Sequence, residues 1–363
     1  MLCLQEKGHV EALDIAKGFA MLMTIFCHAL QRATPEACGS YYIWRLVHEW
    51  HMPMFMMISG YLAARSGRLG SAGYVRDKFF RLIYPWFIWR WLEWAFMRLP
   101  FSGLLTFNYY VPTSFLGNLL YFIRQPFRPM WFLIDLFLFM MILCACKWLS
   151  RGNKKKMGLL LGACVLASVG LYYICLFTCW RTSYEYNESW GFLYYDCQYF
   201  GLFILGFAFE KLTAREVSRG GSGWMCACIV CTAAGMLVIL CNGYIESGIL
   251  LFWGKAVVDC ALILMGIMAL TRIPALRRLF DGLRYMGRHS MEYYTLQFLC
   301  LDCGWFLQNT NLRWLVNFAA CMVICTAVIA VTDKRLPRLH KLLWGDFTFQ
   351  NRNHAAGQAG TGR

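Results

Sequence analysis

The chain has 363 residues, of which 59% are hydrophobic and only 15% charged, with a mean hydropathy of +0.46. Soluble globular chains carry about 25% charged residues, so the composition excludes that class and indicates a membrane protein with several spans. The formal charge of +15 is spread over separate loops, which argues against a nucleic-acid partner.

The first apolar segment, AKGFAMLMTIFCHAL, holds Lys17 and His28. Ionisable residues at membrane depth cost about 2.5–3.5 kcal/mol even on lenient scales, so they normally face a bundle interior or a water-filled cavity. An offset of eleven residues returns to nearly the same helix face, and at about 1.5 Å per residue the two groups stand roughly 16 Å apart. They cannot pair, but they can grip two ends of one extended ligand. Asp14, one turn before Lys17, shares the stripe and can pair with it. The segment lacks a small-residue cleavage pattern, so it is expected to remain as a transmembrane helix.

The second segment opens with His48, Glu49 and His51 in HEWHMPMF, a small titratable cluster near one membrane face. Glu49 is a candidate to orient a histidine, and Pro53 is expected to shape the helix start. Ten spans are expected, at about 13–33, 49–64, 79–98, 130–149, 157–178, 194–211, 224–242, 248–270, 285–306 and 313–333. The second is short enough to be tilted or re-entrant. Pro112, Pro126 and Pro129 make 99–129 an interfacial loop with a short helix rather than a span.

Counting Lys and Arg in alternate loops gives 25 on one side and 7 on the other, which places both termini in the cytoplasm. The basic stretches Arg65–Arg81 and Arg272–Arg288 then frame the cytoplasmic mouth of the bundle, where they suit a phosphate-bearing ligand. Arg81, at a helix entry, is the preferred phosphate contact. Asp135 in MWFLIDLF and Glu292 in HSMEYYTL are carboxylates in apolar spans and are site candidates for the same energetic reason as His28. Lys255 and Asp259 have the spacing of a helical ion pair. Trp131 reads as an aromatic-belt residue.

The 18 cysteines lie mostly in apolar segments, as at Cys226, Cys228 and Cys231, and are expected to pack as small apolar groups. Cys38 alone is placed near an oxidising compartment. Cys300 and Cys303 have a ligand spacing but no second pair and no histidine cluster in sequence, so no metal is expected. Residues 1–345 form one membrane domain, and the polar stretch 346–363 is expected to be a disordered cytoplasmic tail.

LDIAKGFAMLMTIFCHAL, WHMPMFMMISGYL, MWFLIDLFLF and LRYMGRHSMEYYTLQF occur in that order. Together they resemble acyltransferase family 3, the integral-membrane acyltransferases, and in particular the stand-alone sugar O-acetyltransferases such as the fucose 4-O-acetylases. The likeness covers about residues 12–335. It implies an all-α bundle of about ten helices in a bacterial inner membrane. It also implies transfer of an acyl group, usually acetyl from acetyl-CoA, to an extracytoplasmic glycan or lipid-linked sugar, with no tightly bound cofactor.

The family pattern of a basic residue, ten intervening residues and histidine falls here on Lys17 and His28, with Lys where Arg is commoner. The resemblance thus implies His28 at the transfer centre. Many relatives carry a histidine where this chain has Gln297, which speaks against a required base at that position. His51 joins the candidate catalytic set with His28 and Lys17, while Asp14, Arg81, Glu49, Asp135 and Glu292 are candidates for substrate or acyl-CoA binding. The alternative is a transporter or flippase of a glycan substrate. Such proteins show broken helices at matching places in two halves, and no matching pair is found here.

Overall fold

The computed structural model describes residues 2–33, 40–99, 114–124, 130–181, 197–210, 249, 252–254, 256 and 280–345. Among the described residues every regular element is helical, in agreement with an all-α bundle. The helices are α1 (Leu2–Ala33), α2 (Ser40–Arg65), α3 (Ala72–Lys78), α4 (Tyr84–Phe96), α5 (Phe115–Arg124) and α6 (Trp131–Ser150). They continue with α7 (Lys154–Arg181), α8 (Cys197–Glu210), α9 (Asp281–Arg288), α10 (Ser290–Leu296), α11 (Thr310–Arg335) and α12 (Pro337–Trp344).

Four helices are long and apolar enough to cross a bilayer: Leu13–Ala33, Trp131–Ser150, Lys154–Cys175 and Thr310–Arg335. They coincide with four of the ten expected spans. The protein is therefore a polytopic membrane bundle. The expected spans 224–242 and 248–270, apart from residues 249, 252–254 and 256, lie outside the described residues. So do Cys38, the cysteines at 226–231, the 255–259 pair and the tail 346–363.

Three expectations are corrected. The second helix is not a short segment at 49–64: it runs Ser40–Arg65, 26 residues. Its polar first turns, with His48 and His51, dilute the hydropathy that would have revealed them. Pro53 stands inside this helix rather than at its start, where it removes the N–H that would bond the carbonyl of residue 49. Finally, the apolar run 285–306 is not one span. It breaks into α9, α10, a 3₁₀ turn at Gln297–Leu299 and non-helical turns through Phe306. The expected short helix within 99–129 is present as α5.

The core forms where α1 meets α2, α9 and α11. Phe19 stacks on Trp50 with ring centroids 5.5 Å apart, and Phe26 packs edge-on against Trp314 and Phe318. The crossing of α1 with α9 is made of backbone: a Cβ on Gly18 would collide with the Leu283 carbonyl, and one on Gly287 with the Asp14 carbonyl. Only glycine permits this approach, the small-residue contact on which membrane helices rely. Between α3 and α4 the chain passes through one π turn, Phe79–Ile83, without leaving the helix.

Candidate active site

At the inner end of α1, Asp14 receives Lys17 Nζ at 2.8 Å on one carboxylate oxygen and Arg288 Nε at 3.4 Å on the other. The glycine crossing puts Arg288 there, because it brings the last turn of α9 against the first apolar turn of α1. The expected Asp14–Lys17 pair is thus present and gains a second cation from a distant segment.

Arg81 lies on the π turn, three residues after Lys78, the last residue of α3. Burial, with the cations of Arg81 and Lys17 nearby, holds the Lys78 ammonium down at about 8, while Asp77 opposes the shift. The mutual repulsion shows that Lys17, Lys78 and Arg81 crowd one region. Sequence reasoning included Lys78 in the basic stretch Arg65–Arg81 without singling it out. Its signal was adjacency to Arg81 at a helix entry.

Towards the outer end of α1, His28 Nδ1 lies 3.0 Å from Gln297 Oε1. Gln297 Nε2 in turn donates to the Tyr294 carbonyl at 3.1 Å. The second bond decides the amide's orientation, so Oε1 must face the imidazole. An amide oxygen can only accept, hence Nδ1 carries the hydrogen and Nε2 carries the lone pair. Gln297 is fully buried and cannot itself act as a base. Its amide oxygen fixes the tautomer and ring direction of His28.

His48 and His51 complete this end. Their rings are 5.5 Å apart, and both lie within electrostatic reach of His28. His51 is 2% exposed and its Nδ1 lies 2.9 Å from the Val47 carbonyl, its own helical turn. The orienting acceptor for His51 is therefore a backbone carbonyl; the Glu49 side chain lies outside the described residues. Arg32, one turn beyond His28 and within its electrostatic reach, buries Nε and Nη2. Sequence reasoning assigned Arg32 to the outer loop count, although its i+4 spacing from His28 on one helix marks it as a neighbour.

The remaining candidates are placed separately. Asp135 is fully buried on α6, one turn after Phe132, whose ring packs on Phe55 and Tyr294. Glu292 does not join His28. It meets His289 and His340 at the other end of α10. Trp131 stacks on Tyr199 at 5.4 Å and is partly buried in the core.

The described helices thus form a membrane bundle with a hydrogen-bonded histidine towards one end of α1 and an ion-paired cluster towards the other. Over residues 10–333 the chain matches the family model described as an acyltransferase domain, and it belongs to that family, acyltransferase family 3. No curated protein and no solved structure matches the chain. The protein is a multi-pass membrane acyltransferase.

Proposed function

We propose that the protein moves an acetyl group from cytoplasmic acetyl-CoA to a hydroxyl of a cell-surface glycan or its lipid-linked precursor, across a bacterial inner membrane. The observation that carries this reading is the relay Tyr294–Gln297–His28, which leaves the imidazole lone pair on Nε2. A sugar hydroxyl is a weak nucleophile until a group accepts its proton. A neutral imidazole with that lone pair suits the task near neutral pH.

The acceptor enters from outside and gives its proton to His28 Nε2 as its oxygen attacks the thioester carbonyl. The carbonyl oxygen gains negative charge, which the Arg32 guanidinium, one turn beyond His28, would stabilise. Collapse of the tetrahedral species expels the CoA thiolate, and the proton on His28 is available to it or to water. Lys17, Lys78 and Arg81 are the phosphate contacts at the inner mouth, with Asp14 holding Lys17. His51 remains a candidate catalytic residue, and Glu49 and Asp135 remain candidates for substrate or acyl-CoA binding. Neither donor nor acceptor needs a tightly bound cofactor in this scheme.

Mass spectrometry of surface glycan from cells carrying wild type or His28→Ala, at equal membrane abundance, tests the reading. Loss of an acetylated species in the variant alone is expected. Acetylation that depends on the wild-type gene yet survives His28→Ala would remove His28 from the mechanism.

A further inference from the structure

Glu292, His289 and His340 form a second convergent cluster, at the inner end of the bundle and apart from His28. Glu292 Oε1 lies 3.2 Å from His289 Nδ1 and 3.3 Å from His340 Nε2. The two imidazoles approach edge to face, with centroids 6.2 Å apart. Each ring is held from outside the cluster: Tyr285 packs on His289 at 4.5 Å and Trp344 on His340 at 4.7 Å. Trp344 is anchored in turn, its Nε1 donating to Thr295 Oγ1 at 2.8 Å.

The surroundings of His340 favour a positive species beside Glu292. The Thr332 hydroxyl gives its hydrogen to the Val328 carbonyl at 2.8 Å, so towards His340 Nδ1, 3.4 Å away, its oxygen can only accept. Nδ1 of neutral His340 therefore carries the hydrogen and Nε2 the lone pair. That lone pair faces a carboxylate oxygen at 3.3 Å, a gap filled either by a proton on Nε2 or by a metal ion held between the two atoms. A tetrahedral zinc ion with bonds of about 2.0–2.2 Å separates its ligand atoms by about 3.3–3.6 Å. The two separations, 3.2 and 3.3 Å, lie at the short end of that spacing.

The geometry points to a divalent-metal site, with His289 Nδ1, His340 Nε2 and Glu292 Oε1 as ligands and zinc as the metal that imidazole and carboxylate favour. The three side chains are 17%, 10% and 12% exposed, so the cluster is largely but not wholly shielded from solvent. Two imidazoles and one carboxylate around a dication leave a net charge of +1, tolerable where α12 meets the interface. The ion would clip α12 to α10.

Full-length protein purified in detergent, incubated with zinc and desalted, tests this by elemental analysis. Glu292→Gln and His340→Ala, eluting as wild type on gel filtration, are expected to lose one zinc per chain relative to wild type. His28→Ala and Cys321→Ser are expected to retain it. The cysteine variant is needed because Cys300, Cys321 and Cys325 lie 3.5–3.8 Å apart and form a rival thiol cluster. Cobalt loaded into wild type provides a readout that requires no variant: ligand-field bands without thiolate charge transfer are expected. No retained metal, zinc unaffected by Glu292→Gln and His340→Ala, or a thiolate-ligated cobalt spectrum would each overturn the site.

Discussion

The bond between His28 and Gln297 links residues 269 apart in sequence, and its removal has a calculable effect. Gln297→Leu leaves the Nδ1–H of a buried imidazole without its acceptor, which costs about 1–3 kcal/mol. At about 1.4 kcal/mol per decade, acyl transfer should fall roughly 10- to 100-fold, in kcat rather than in KM for the donor. Steady-state kinetics in proteoliposomes checks the split, and an unchanged kcat would exclude the orienting role. Lys78 gives a pH prediction. Its ammonium titrates at about 8 in the folded protein, against 10.5 for the free side chain. The unfolded chain therefore binds more protons between those values, and stability should rise with pH across about 8 to 10.5. Donor binding has the opposite slope, because an anionic phosphate favours the protonated form. KM for acetyl-CoA should climb above pH 8 in wild type and stay flat in Lys78→Arg. His28 was legible in sequence because an ionisable group in an apolar run is expensive. Gln297 as its partner was not, since nothing local joins positions 28 and 297. The Glu292 cluster was hidden in the same way, its third member standing 48 residues on in another helix.

The crossing of α1 and α9 tests the architecture at the level of elements. Gly287→Ala would drive a methyl group into the Asp14 carbonyl, so the helices must separate. Overpacking of this kind costs about 1–3 kcal/mol. The variant should melt lower in detergent and also lose activity, because the Arg288–Asp14 contact depends on the same approach. Thermal unfolding and transfer assays on one preparation would separate this from a variant that loses activity alone. Helices with uninterrupted apolar runs, such as α6 and α11, were legible in sequence to within three residues. The segment 285–306 was not, because hydropathy registers how apolar a stretch is and not whether its backbone stays helical. Its breaks fall at His289 and after Leu299, where no proline announces them.

For the whole molecule, the 25-to-7 division of basic residues sets the orientation. Reporter fusions after Asn153, between α6 and α7, should report from the cytoplasm, and fusions after Asn309, at the start of α11, from outside. Both on one side would invert or scramble the bundle and detach the basic mouth from the acetyl-CoA pool. The bulk of the +15 charge was readable as topology. That Lys17 and Arg81 act electrostatically on Lys78 required the packed bundle, because Lys17 is 61 residues away in sequence.

The break after Gln297 has a consequence for what supports His28. Non-helical backbone at membrane depth survives only where protein or water surrounds it. Here part of that need is met internally: Gly304 N–H donates to Asn317 Oδ1 at 2.6 Å, and Asp302 pairs with Arg313 at 2.8 Å. Side chains of α11 thus hold the turns that follow Gln297, and with them the wall that carries the partner of His28.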